Sequence, residues 1–197
     1  KTAKKKQKKW KSMPKRARGG DQLTGGTGDV NPQWMNIRSS AVISTSFATT
    51  TAPTPINKFP EGSGRVVIME ILKVFFFPGI LANSTTNNNF QMYLTTKNFA
   101  STTPPNGFSE GSLIAGFWYT TGFSANGSPT FLEPFTVDLT DGSGHGMLVA
   151  TDNLYLGQIQ SAAAEPFAAG TTAVKLLYRF KKVSLQEYIG IVQSQQT

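Results

Sequence analysis

Between Thr172 and Val183 the chain reads TAVKLLYRFKKV. Val174, Leu176, Tyr178 and Phe180 recur at every second position, while Lys175, Arg179 and Lys181 fall on the alternate ones. Successive side chains of a strand point to opposite faces, so this period of two predicts a strand with one face in a core and the other wet and basic. Its counterpart between Val66 and Phe77, VVIMEILKVFFF, is apolar on both faces apart from Glu70 and Lys73. A strand covered on both sides reads that way, whether by the opposite sheet plus a neighbouring subunit or loop, or as a central sandwich strand under a long loop. Periodicity alone does not separate the two.

Working outward from these stretches, short segments rich in Val, Ile, Phe, Tyr and Thr alternate with clusters of Gly, Pro, Asn and Ser. That rhythm predicts strands at Ile37–Thr50, Arg65–Phe77, Phe90–Lys97, Leu113–Thr121, Phe131–Leu139, Gly146–Thr151, Asn153–Ile159 and Thr172–Val183. Loops are expected at Asn83–Asn89, Ser101–Gly111, Ser124–Thr130 and Ser161–Gly170. The resulting fold class is all-β, an eight-stranded jelly-roll sandwich with a disordered basic N-terminal arm. After Val183, Ser184-Leu185-Gln186-Glu187 has the spacing of a capping box. Gly190 and the β-branched residues nearby limit the expectation to an extended or one-turn element.

Charge is distributed unevenly. Ten of the nineteen Lys and Arg lie in the first eighteen residues, whereas the remainder carries nine Lys and Arg against eleven Asp and Glu, a formal −2. The ten are Lys1, Lys4, Lys5, Lys6, Lys8, Lys9, Lys11, Lys15, Arg16 and Arg18. A self-repelling run without apolar periodicity cannot offset the entropy of ordering, so residues 1–18 are expected to stay disordered until a polyanion meets them. Ten positive charges on so short an arm make it a nucleic-acid-binding segment by counterion release, and Trp10 offers a ring for an unpaired base. Five glycines between Gly19 and Asn31 read as a swivel. The division is therefore an arm at 1–18, a hinge at 19–33 and a jelly-roll domain at 34–197. The chain does not begin with Met, which implies processing or trimming ahead of Lys1.

Several function classes find no support. With no cysteine, a disulfide framework, a thiolate metal site and a Cys nucleophile are all excluded. The longest apolar run is too short to span a bilayer, and no membrane partner is expected. His145 follows Asp141-Gly142-Ser143-Gly144, which lacks the full order of a nucleophile elbow and reads as a turn. Asp138 and Asp141 approach a calcium-loop spacing without its remaining ligands. Gly25-Gly26-Thr27-Gly28 lacks the Lys-Ser/Thr ending of a phosphate cradle. The sequons at Asn83 and Asn126 carry little meaning without a secretory signal. No catalytic residue, metal site or cofactor is assigned.

The basic start, the Gly-rich hinge, the strand Ile68-Met69-Glu70-Ile71-Leu72-Lys73-Val74-Phe75-Phe76 and the ending from Leu177 through Leu185-Gln186-Glu187-Tyr188-Ile189-Gly190-Ile191-Val192 to Gln196 form a recognisable set. Together they resemble the short capsid proteins of small icosahedral viruses with circular single-stranded DNA genomes that encode a replication initiator. Related single jelly rolls occur in satellite and other small RNA viruses. The resemblance implies a protein that partners itself in a closed shell of 60 or 180 copies, with the arm inside against a single-stranded DNA genome. About 600 or about 1,800 arm charges would then face the genome. It also implies a virion protein assembled in the host nucleus. On this reading Lys175, Arg179 and Lys181 form a second, lumen-facing phosphate contact; the alternative is an ordinary solvated strand face. Two other classes fit parts of the same text. One is a non-viral nucleic-acid-binding β module, which the acidic body disfavours. The other is a secreted glycan-binding jelly roll with a heparin-binding tail.

Overall fold

The structure is a computed structural model that describes residues 31–39, 46–55, 65–78, 88–99, 104–105, 110–121, 134–160 and 172–196. The basic arm, the Gly25–Gly28 stretch and both sequons lie outside these residues. Within them the chain forms β1 (Gln33–Arg38), β2 (Ala48–Pro53), β3 (Val66–Phe77), β4 (Asn88–Thr95), β5 (Leu113–Thr121), β6 (Phe135–Asp138), β7 (Met147–Val149), β8 (Asn153–Gln160), β9 (Ala173–Val183) and α1 (Leu185–Gln196). One antiparallel sheet runs β1-β9-β3, with β6 and β7 lying end to end along the other edge of β3; the second runs β2-β8-β4-β5. Counting β6 and β7 as one interrupted strand leaves eight strand positions divided between two facing sheets, the arrangement of a jelly roll.

The eight positions are divided differently from the sequence expectation. Ile37–Thr50, read as one strand, is the end of β1 and the start of β2, which belong to opposite sheets. Val42, Ile43 and Thr45 between them carry strand propensity, so nothing local marks the crossing. Phe131–Leu139 and Gly146–Thr151, read as two strands, contain the halves of one.

The apolar text of β3 has two causes. Met69 and Ile71 point into the core between the sheets, as do Val74 and Phe76. Two positions separate the members of each pair, but three separate Ile71 from Val74. The register against β9 shifts between Ile71 and Lys73, leaving Leu72 as the extra residue of a bulge. The bulge reverses the alternation, so Glu70 and Lys73 both point out of the sandwich although three positions apart. The second cause is α1. Val66 and Ile68 point outward and are buried under Tyr188, Ile191 and Val192 of the helix, together with Ala150 and Val183.

α1 is three turns long rather than the extended or one-turn element expected from the sequence. Ser184 caps it, its Oγ accepting from the Glu187 N–H at 3.2 Å. Gln195, only 3% exposed, locks the far end. Its amide accepts from the Ala150 N–H and donates to the Leu148 carbonyl, so it pairs with β7 as a neighbouring strand would. These tertiary contacts override the weak propensity of the segment. A Cβ at exposed Gly190 would meet nothing within 4 Å. Gly190→Ala should therefore raise stability by about 0.5–1 kcal/mol, seen as a higher melting temperature with unchanged circular dichroism.

Candidate nucleic-acid interface

The outer face of the sheet containing β9 falls into three zones along the strands. α1 covers one end. The middle holds the charged groups, and its centre is Glu70, whose side chain is 1% exposed. Arg179 stands directly opposite it on β9 and donates from Nε to Oε2 at 2.5 Å. The Gly146 N–H donates to Oε1 at 3.0 Å, while Lys181 Nζ and His145 Nδ1 each lie 3.9 Å from that oxygen. Burial alone would raise the Glu70 pKa. The Arg179 hydrogen bond, the Gly146 N–H and the charges of Arg179 and Lys181 together outweigh it and hold the carboxyl below its usual value.

The loop between β6 and β7 is built around this carboxylate. Leu139 N–H donates to the carbonyl of the bulge residue Leu72, and Asp141 N–H to the His145 carbonyl. Asp141 Oδ1 accepts from the N–H groups of His145 and Ser143, and the His145 bond leads in lowering its pKa. Its carboxylate therefore organises the turn that the sequence suggested. A Cβ at Gly146 would stand 2.2 Å from the Ile71 carbonyl oxygen, so only glycine brings this N–H to Glu70. Gly144 has φ +84°, and its carbonyl accepts from Arg179 at 2.9 Å. Asp138 is held by Lys73 Nζ at 2.9 Å and by Thr140, which keep its carboxyl far below the ordinary aspartate value. That pair is exposed and contributes little to stability. No group of three or more metal-ligating side chains occurs among the described residues.

The third zone lies at the opposite end from α1. Along β1, Met35 and Ile37 pack toward the core, so Trp34, Asn36 and Arg38 share the outer face. Lys175 sits between Asn36 of β1 and Phe75 of β3. Its Nζ stands 4.3 Å from the Trp34 ring centroid, and the Phe75 ring lies 5.5 Å from Trp34.

Of the expected site residues, Lys1, Lys4, Lys5, Lys6, Lys8, Lys9, Lys11, Lys15, Arg16 and Arg18 lie outside the described residues. Lys175, Arg179 and Lys181 do share the outer face of β9, but their surroundings differ. Arg179, with its side chain 18% exposed, is committed to Glu70 and Gly144. Lys181 leans toward the same carboxylate, and Lys175 lies over Trp34. Trp34 falls outside the expected strand Ile37–Thr50, and Arg38 within it was not assigned to a site; the alternation of Trp34, Asn36 and Arg38 with Met35 and Ile37 is the signal that puts both on the outer face with Lys175.

Among solved structures, the chain is similar to the VP1 proteins of polyomaviruses. VP1 of the trichodysplasia spinulosa-associated polyomavirus in complex with 3'-sialyllactose gives a TM-score of 0.50 at 10% identity, over 78% of this chain and 96% of that one. Merkel cell polyomavirus VP1 in complex with disialyllactose gives 0.49 at 10% identity, over 82% and 98%. The unassembled KI polyomavirus VP1 pentamer gives 0.44 at 13% identity, over 71% and 76%. No family model and no curated protein sequence matches the chain. The likeness to the first of these agrees with the jelly-roll topology and is one of fold.

Removing the charge at Glu70 leaves Arg179 facing an uncharged amide, so Glu70→Gln should cost about 3 kcal/mol in chemical unfolding. A folded-state pKa below the usual 4.5 means that the carboxylate's contribution is complete above that pH and is lost as pH falls through the folded value. The acid-induced fall in stability should accordingly be shallower in Glu70→Gln than in the parent chain.

Proposed function

We propose that this protein is the coat subunit of a small icosahedral virus, assembling into a closed shell and packaging the genome through residues 1–18. The observation that carries the proposal is the junction of two unlike parts. A ten-charge arm is joined, through the glycine-rich hinge, to β1 at the edge of a jelly roll whose own segment of the chain balances nine Lys and Arg with nine Asp and Glu. The arm neutralises phosphates without regard to sequence, while the mildly charged body lets copies approach without strong mutual repulsion. The fold similarity to a viral VP1 protein supports the reading, because the two share the jelly roll across most of both chains.

In this function the shell has 60 or 180 copies, both of which closed icosahedral symmetry allows, and the cargo is single-stranded DNA loaded in the host nucleus. Lys175 and Lys181 face the cargo as secondary phosphate contacts. Arg179 shares that face, but its neutralisation would also break the bond to Glu70, so packaging and folding defects would be confounded in any variant of it.

The full chain should sediment as a large particle containing nuclease-protected nucleic acid. Deleting residues 1–18 should remove that nucleic acid, whereas the double variant Lys175→Gln/Lys181→Gln should lower it and leave shells intact. A chain that stays monomeric across salt and pH would contradict the proposal.

A further inference from the structure

The outer sheet face at the start of β1 presents an aromatic ring where a solvated sheet would place a polar side chain. Trp34 is 51% exposed. It sits at the end of the sheet away from α1, so the helix that buries Val66 and Ile68 does not reach it. Lys175 and Phe75 flank it, and Arg38 lies two outward positions further along the same strand. A half-open indole beside a second ring, edged by a lysine and an arginine, has the two elements that unpaired nucleotides need. The rings supply a stacking surface for a base, and the cations supply neutralisation for the phosphates on either side.

The position of the patch selects its occupant. The described body begins at Asn31, three residues ahead of Trp34, so the hinge that follows the basic arm leads into this face. On the packaging function, a strand of nucleic acid held by the arm is kept within reach of this face by that hinge. A lysine on the indole, with an arginine further along the same outer face, makes a poor seat for a purely apolar patch of a neighbouring copy but a complementary one for a polyanion. A duplex keeps its bases stacked on one another and offers the ring no free face, so the chemistry fits single-stranded nucleic acid.

We propose that Trp34 and Phe75, with Lys175 and Arg38, form a stacking site for unpaired bases of single-stranded nucleic acid at the root of the arm. The site rests on the packaging function and adds to it a preference for unpaired strands that the arm's charge alone does not give.

The test uses the full chain and measures affinity for a single-stranded DNA oligonucleotide and for a duplex of equal phosphate count, across a salt series. Trp34→Leu should weaken single-strand binding about tenfold, leave duplex binding unchanged and leave the salt slope unchanged, because stacking releases no counterions. Trp34→Phe should retain most of the affinity. In the parent chain, irradiation with an iodouracil-substituted strand should crosslink Trp34, a readout that survives if Trp34→Leu misfolds. Equal losses for both nucleic-acid forms, or crosslinks confined to residues 1–18, would overturn the site. So would loss of particles with single-strand binding intact, which would make the patch a contact between copies. If the parent chain bound neither form even at low salt, the packaging function itself would fail, a result distinct from these.

Discussion

The ion pair between Glu70 and Arg179 is the constraint around which the sheet of β1, β9, β3, β6 and β7 is arranged. A carboxylate taken almost wholly out of water must have its oxygens satisfied, and here the partners come from three parts of the chain. β9 supplies Arg179, the turn before β7 supplies the Gly146 N–H, and Arg179 reaches on to the Gly144 carbonyl of that turn. The pair thereby ties together β3, β9 and the interruption between β6 and β7. The bulge at Leu72 belongs to the same arrangement, since it turns Lys73 outward to meet Asp138 and gives Leu139 a carbonyl to bind.

With that centre fixed, the outer face has three zones. One end is covered by α1, which is held by an apolar contact with Val66 and Ile68 and by the Gln195 amide on β7. The middle is occupied by charges that largely satisfy one another. The remaining end carries Trp34, Phe75, Lys175 and Arg38 without such closure. On the proposed function, surface left open in this way would put binding at the β1 edge rather than evenly along β9.

Much of the fold was legible because β9 alternates cleanly and because turn residues punctuate most strands. What was not legible depended on partners distant in sequence. The double-sided apolar text of β3 could not be resolved without knowing that the register against β9 shifts at Leu72 and that a helix over a hundred residues later covers Val66. The length of α1 was hidden for a similar reason: Gly190 weakens the local signal, and the Gln195 contacts that secure it are tertiary. In the candidate site, the charge alternation at Lys175, Arg179 and Lys181 was visible, but the commitment of Arg179 to Glu70 was not, because Glu70 read only as an interruption of an apolar run. Trp34 lies ahead of the expected strand start at Ile37, four residues inside β1 from the observed start at Gln33.

The proposed stacking site requires the sheet face that carries Trp34 to turn toward packaged nucleic acid. An electron cryo-microscopy reconstruction of particles formed by the full chain tests it directly. The account predicts a closed icosahedral shell in which Trp34 and Lys175 line the interior, with base-shaped density against the indole. A shell with that face on its exterior, or sealed between copies with no nucleotide density, would contradict it.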